Sequence, residues 1–133
     1  MVWDNTRANA GFSDAQPWLP VKAPQAVNAV AQQMDDGILA YYKSMIAMRK
    51  NSPVLSHGNT LFVDLPEPLL AFTRHYEGKS LTCAFNLSKD AHSIYLTGAA
   101  ELFHGQAANL TEDTLTLDGN GFAYLSHAGA VPI

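Results

Sequence analysis

Cys83 is the single cysteine in 133 residues, which excludes a disulfide framework and a cysteine-based zinc cluster. It lies in the apolar run Leu81-Thr82-Cys83-Ala84-Phe85, where a buried thiol is the expected state. No stretch reaches the ~18 apolar residues of a membrane-spanning helix. Charge is scarce as well: 15% of residues are charged, the formal net charge is −4 and no basic run occurs. Neither nucleic acid nor an anionic membrane finds an electrostatic footprint here. There is no tandem repeat and no low-complexity tract. His57, His75, His92, His104 and His127 are scattered without metal-ligand spacing, and no Gly-x-Ser-x-Gly elbow is present. No metal and no cofactor are expected. The length is roughly half of the ~250 residues of a (β/α)₈ barrel, so no complete barrel fits.

Hydrophobic residues, by contrast, make up 47% of the chain, enough to build one real core. Residues 1 to about 34 are irregular, broken by Asn5, Asn9, Gly11, Pro17, Pro20 and Pro24. They nevertheless carry Trp3 and Trp18, with Phe12 and Leu19. So much aromatic surface on a long loop implies packing against a partner surface. No basic n-region or apolar h-region follows Met1-Val2-Trp3-Asp4, so no signal peptide is expected.

Residues 36 to about 50 read as a helix. Ile38, Tyr42, Met45, Ile46 and Arg49 recur at three- and four-residue steps, and Leu39, Tyr41 and Met48 widen the stripe. Asp35 or Asp36 is expected to cap its start, and Asn51-Ser52-Pro53 to end it. From about residue 59 the period changes to two. Residues 60–65, 69–74, 81–86, 93–96, 100–103, 114–117 and 122–125 are strand candidates. Pro66-Glu67-Pro68, Glu77-Gly78-Lys79, Ser88-Lys89-Asp90 and Glu112-Asp113 read as turns, and Gly119-Asn120-Gly121 as the last tight turn. The expected fold is mainly β with one N-terminal helix: an antiparallel β-sandwich preceded by an irregular loop.

The order of features resembles a known family. Met1-Val2-Trp3-Asp4, Asn9-Ala10-Gly11-Phe12-Ser13 and Pro17-Trp18-Leu19-Pro20-Val21 are similar to the loop after the last barrel strand in the α-glucosidase and oligo-1,6-glucosidase branch of glycoside hydrolase family 13. Leu39-Ala40-Tyr41-Tyr42-Lys43-Ser44-Met45-Ile46-Ala47-Met48-Arg49-Lys50 resembles that family's last barrel helix, followed as there by a short Pro-containing stretch. The strand-rich remainder resembles its C-terminal antiparallel domain in position and texture. Two features depart from the pattern. The usual Arg-Thr-Pro is absent before the motif, so that Met1 aligns with an interior methionine, and Asp35-Asp36-Gly37 stands where the family often has Asp-Pro-Asp-Ser. The resemblance implies that residues 1–55 are a barrel remnant and residues 56–133 a C-terminal β-domain.

The resemblance also implies where the chemistry sits. Retaining glycoside hydrolysis needs a carboxylate nucleophile and a carboxylic acid about 5–5.5 Å apart. In the family these come from barrel strands upstream of this segment, so no catalytic residue carries over and this chain alone is expected to be inactive. Its own carboxylates read as caps and turns: Asp35 and Asp36 at the helix start, Glu112-Asp113 in a polar turn, Asp64 and Asp90 at strand ends. Trp3, Asp4, Asn9, Phe12 and Trp18 are the candidates for a substrate-rim or barrel-packing loop. Packing is favoured over sugar contact because large aromatics usually serve it. Asp4 is expected to order the loop as a hydrogen-bond acceptor. Ile38, Leu39, Tyr42, Met45 and Ile46 are the expected barrel-facing side of the helix. The expected partner is the missing barrel, with self-association through the helix as a second outcome. The alternative is a stand-alone carbohydrate-binding or protein-interaction module, but its platform candidates, Tyr76, Tyr95 and Tyr124, fall within or next to strand patterns.

Overall fold

The computed structural model describes residues 2–21, 29–32, 36–128 and 133. Contacts gather into two units, Met1–Met48 and Arg49–Ile133. In the first, residues 2–21 form a loop of turns and bends with a 3₁₀ segment at Ala8–Gly11, and Val30–Gln32 forms another. Helix α1, Ile38–Asn51, follows. The carbonyl of Gly37 accepts the first helical bond, from the Tyr41 N–H at 3.0 Å. Gly37 therefore holds the capping position expected of an aspartate: Asp36 lies one residue too early, and Asp35 lies outside the described residues. None of the described helices is long and apolar enough to cross a membrane.

In the second unit a short helix, α2, runs from Pro53 to His57. The sequence shows only a helix stop at Pro53; the structure makes the same proline a start. Ser52 is the N-cap, its Oγ accepting from the Leu55 N–H at 3.4 Å, and Pro53 tolerates the first turn because its missing N–H is not needed there.

Six strands make one antiparallel sheet: β1 Asn59–Val63, β2 Leu69–Tyr76, β3 Lys79–Asn86, β4 His92–Tyr95, β5 Glu101–Thr111 and β6 Thr114–Ala128. Their order is β1-β2-β3-β6-β4, with β5 along the other side of β6. β2 and β3 meet through Glu77-Gly78, both with positive φ (49° and 76°), as a two-residue type I′ hairpin requires. β5 and β6 meet through Glu112-Asp113, with Glu112 at φ 48°.

Two expectations are corrected here. Gly119-Asn120-Gly121 is not a tight turn: β6 runs through it, pairing with β4 before it and with β3 after it. Glycine is needed there for close approach. A Cβ on Gly119 would overlap the Lys89 carbonyl, and one on Gly121 the Ala107 carbonyl. The 100–103 candidate extends to Thr111 as β5, whose Gly105, Ala107 and Asn109 hide it from a propensity reading.

Because β6 changes neighbours at that bend, the sheet curls and both halves of the strand reach one core. Leu115 and Leu117 from the first half join Ala123 and Leu125 from the second, with Ala71, Ala84, Ile94 and Leu96. Three polar side chains on this face are linked to one another. Thr73 Oγ1 lies 2.7 Å from Thr82 Oγ1, and Thr82 Oγ1 lies 2.9 Å from His127 Nε2, a buried chain across three strands.

Residues alternating with the core along the strands occupy the opposite face. α2 packs there on β2 and β3, burying Val54 and Leu55. Arg74 ties it down, donating from Nε to Val54 O (3.4 Å), from Nη2 to Leu55 O (3.2 Å) and from Nη1 to Thr60 Oγ1 (2.7 Å). Beyond α2 an aromatic row crosses the sheet: Phe62–Phe72 at 6.1 Å between ring centroids, Phe72–Phe85 at 5.9 Å and Phe85–Phe122 at 6.2 Å, with Tyr124 and His104 beside Phe122.

Cys83 is buried, 2% exposed, as the sequence suggests. Burial pushes its thiol from the ordinary 9.0 up to about 12, against a smaller downward pull from Arg74. The unfolded chain releases this proton near the ordinary value and the folded chain only near 12. Stability linked to the group is therefore intact below pH 9 and is lost as pH rises toward 12. A thiol reagent at pH near 8 is expected to leave the folded protein unmodified and to label one thiol on denaturation. Rapid labelling of the native protein would contradict this burial.

Candidate functional site

The aromatic loop is held by an uncommon backbone turn. Asn9, Ala10 and Gly11 take φ values of 51°, 57° and 65° in succession, one turn of left-handed backbone. Asparagine and glycine tolerate this region; alanine pays roughly 1–2 kcal/mol there. What holds Ala10 in place is its carbonyl, which accepts from the N–H of both Trp3 (3.0 Å) and Asp4 (3.1 Å). The Phe12 N–H closes the turn onto Asn9 O at 3.1 Å, and the Asn9 side-chain amide donates to Ser13 O at 3.1 Å. Strained backbone of this kind persists where the surroundings over-determine it, often at functional positions.

Asp4 Oδ1 accepts from the Thr6 N–H (2.9 Å) and the Thr6 hydroxyl (2.7 Å), an Asx-type turn. A carboxylate oxygen so engaged orders the loop. Residues 29–31 run alongside its start, with Val30 N–H donating to Val2 O and Ala31 N–H to Trp3 O, while Val2 and Ala29 are buried.

Of the candidate residues, the structure brings Trp3, Asp4, Asn9 and Phe12 together around the left-handed turn: a Cβ at Gly11 would touch those of Asp4 (3.4 Å) and Trp3 (3.6 Å). Trp18 stands apart, 91% exposed. A depression of about 330 Å³ lies between the turn and the Gln16–Val21 stretch, with Asn5, Arg7 and Asn9 on one side and Pro17 and Leu19 on the other. Its polar groups are amides and one guanidinium, and no carboxylate lines it. The described carboxylates of this unit are Asp4, engaged as above, and the exposed Asp14 and Asp36. This arrangement can position a polar ligand or a packing partner; it offers no pair of acids for hydrolysis. No group of three or more metal-binding side chains occurs among the described residues.

The helix candidates Ile38, Tyr42 and Ile46 are exposed, Ile38 to 75%, and Leu39 and Met45 are half-buried. Tyr76 packs beside His57 at 5.7 Å and Tyr124 joins the aromatic row, whereas Tyr95 is 75% exposed on the edge strand β4. Sequence reasoning passed over Ala10, whose carbonyl organises the loop. The usable signal is Asn-x-Gly, two residues that tolerate the left-handed region bracketing one that does not.

Residues 1–58 match the family model of the α-amylase catalytic domain. The chain is 38% identical over 93 residues to a probable α-glucosidase of Rhizobium meliloti (strain 1021), covering 68% of this chain and 17% of the relative. It is 37% identical over 98 residues to an oligo-1,6-glucosidase of Heyndrickxia coagulans, covering 71% and 17%. Its fold is similar to that of the α-glucosyl transfer enzyme XgtA, with a TM-score of 0.78 and 32% identity, covering 95% of this chain and 24% of that one. The catalytic-domain match and these glucosidase relatives together define a glycoside hydrolase class. Within it, the chain belongs to the α-amylase family, glycoside hydrolase family 13, as a partial segment. It spans about a sixth of the length of the curated relatives it matches.

Proposed function

We propose that this chain is the non-catalytic C-terminal part of an α-glucosidase, a piece that packs against and stabilises a catalytic barrel it does not contain. The observation carrying this reading is α1. Nine of its first eleven residues are apolar, with only Lys43 and Ser44 between them, yet no residue of the helix is buried. A helix apolar all round is one built to be buried on several sides. Trp3, Phe12 and Trp18 point the same way, as does the half-covered aromatic row of the sheet. In this reading the loop around Asp4 shapes or braces the rim of the barrel, and the acids of the retaining reaction come from the remainder of the parent.

The test is hydrolysis of p-nitrophenyl-α-glucoside, expected at buffer background. Turnover abolished by one substitution within these 133 residues would overturn the reading. Titration with maltose or isomaltose is expected to give no saturable effect, whereas saturable binding in the millimolar range would favour a carbohydrate-binding module.

The exposed helix carries its own prediction. Burying one large apolar side chain is worth roughly 1.5–3 kcal/mol, so α1 drives association when nothing covers it. Tyr42→Glu combined with Ile46→Glu is expected to lower binding of an apolar fluorescent dye severalfold and to raise solubility at unchanged far-UV circular dichroism. Unchanged dye binding would show that the helix is already covered.

A further inference from the structure

The sheet has three edges, and they are not protected alike. β4, at one end, is only four residues long, His92–Tyr95. β5 is broken by two register shifts, between Leu102 and His104 and between Gln106 and Ala108, with Ala107 at φ 50°. Short strands and bulges are the usual means of keeping an edge from templating another strand. β1, five residues long, has no bulge, charge or proline to guard it. It pairs residue by residue with β2 from Asn59↔His75 to Val63↔Ala71 without a shift. Its sequence, Asn-Thr-Leu-Phe-Val, is rich in strand formers. No described strand occupies its second edge, and Leu61 and Phe62 are large apolar side chains left exposed, Phe62 to 76%.

We infer that β1 is an association edge whose occupant is the β1 strand of a second copy of this chain, paired antiparallel about Leu61. That register keeps all five residues in the ladder: Asn59 against Val63, Thr60 against Phe62, and Leu61 against itself. It also suits the charges. Asp64, the first acid after the strand, falls opposite Gly58 of the other copy and next to its His57, so no like charges face each other. An uncharged, regular strand is complementary to itself under a two-fold axis, and such an axis closes the assembly at two copies. With five residues a side the contact falls below the ~1,000 Å² of a stable interface, so the dimer is weak and dissociates on dilution. This contact involves no residue of α1, and Phe62 is its one member of the aromatic row.

Sedimentation velocity from micromolar to near-millimolar concentration tests it, on the Tyr42→Glu/Ile46→Glu protein so that α1 contributes nothing. Expected is a monomer–dimer equilibrium in that background. Leu61→Lys and Leu61→Asp each set like charges against each other at the two-fold axis and are expected to weaken the dimer at least tenfold. An equimolar mixture of the two is expected to restore it as a heterodimer. Leu61 is exposed, so both variants should keep the parent's circular dichroism and melting transition. A strict monomer in the α1-substituted background overturns the inference, as does a dimer that Leu61→Lys leaves unchanged. Either result leaves the hydrolysis and sugar-binding tests of the proposed function standing.

Discussion

Replacing Asn86 by alanine is expected to lower the unfolding free energy by about 3–5 kcal/mol, read as a shift of the urea midpoint at unchanged slope. Asn86 ends β3 and is 2% exposed. Its Nδ2 donates to Asp90 O at 2.7 Å, Asp118 O at 3.0 Å and Leu117 O at 3.2 Å. Its Oδ1 accepts from the N–H (3.0 Å) and hydroxyl (2.9 Å) of Ser88. One side chain thus pins the 88–90 loop to the place where β6 bends. Truncation removes partners from buried carbonyls and leaves a void too, and the two costs add. Asn109, exposed on β5, is the control: its alanine variant is expected to fall within roughly 0.5 kcal/mol of the parent. A loss of less than about 1 kcal/mol at Asn86 would mean that the loop is held by other contacts.

What the sequence made legible divides along a physical line. Strands whose core-facing residues alternate with half-buried ones, such as Leu69–Tyr76, were readable because burial imposes the period. The Glu77-Gly78 turn was readable because its second position takes a positive φ that favours glycine, and Gly78 supplies it. β5 was readable only at its start, residues 101–103, since an edge strand with no buried residue carries no period. α2 was hidden for a different reason: Ser-Pro both stops one helix and starts another, and only the Arg74 clamp decides that a second helix follows. The aromatic loop was visible as composition but not as geometry. Nothing in the identity of Ala10 announces that two N–H groups meet its carbonyl. The roles of Arg74 and Asn86 rest on partners about 20 and about 30 residues away, a range that no local pattern encodes.

Gly119→Ala is expected to be comparably damaging, about 3 kcal/mol or more, and for a different reason. The added Cβ would lie 2.6 Å from the Lys89 carbonyl carbon and closer still to its oxygen, and this neighbour is backbone, which cannot rotate aside. The Asn120 N–H meanwhile donates to Ser88 O at 2.8 Å, so the loop cannot lift away without breaking that bond. Gly78→Ala gives the contrast. Nothing lies within 4 Å of the new methyl, but φ is +76°, and the expected cost is the conformational ~1–2 kcal/mol alone. Measured together, the two glycines separate steric exclusion from backbone preference. Combining Gly119→Ala with Asn86→Ala then asks whether the crossing behaves as one unit. If the Asn86 bonds are what press the 88–90 loop onto β6, their loss lets Lys89 recede and accommodates the methyl. The double variant should then lose less than the sum of the single losses, by about 1 kcal/mol or more. Strict additivity would show that the loop is pressed down by something other than Asn86, and that the bend in β6, which curls the sheet around its core, is set independently of it.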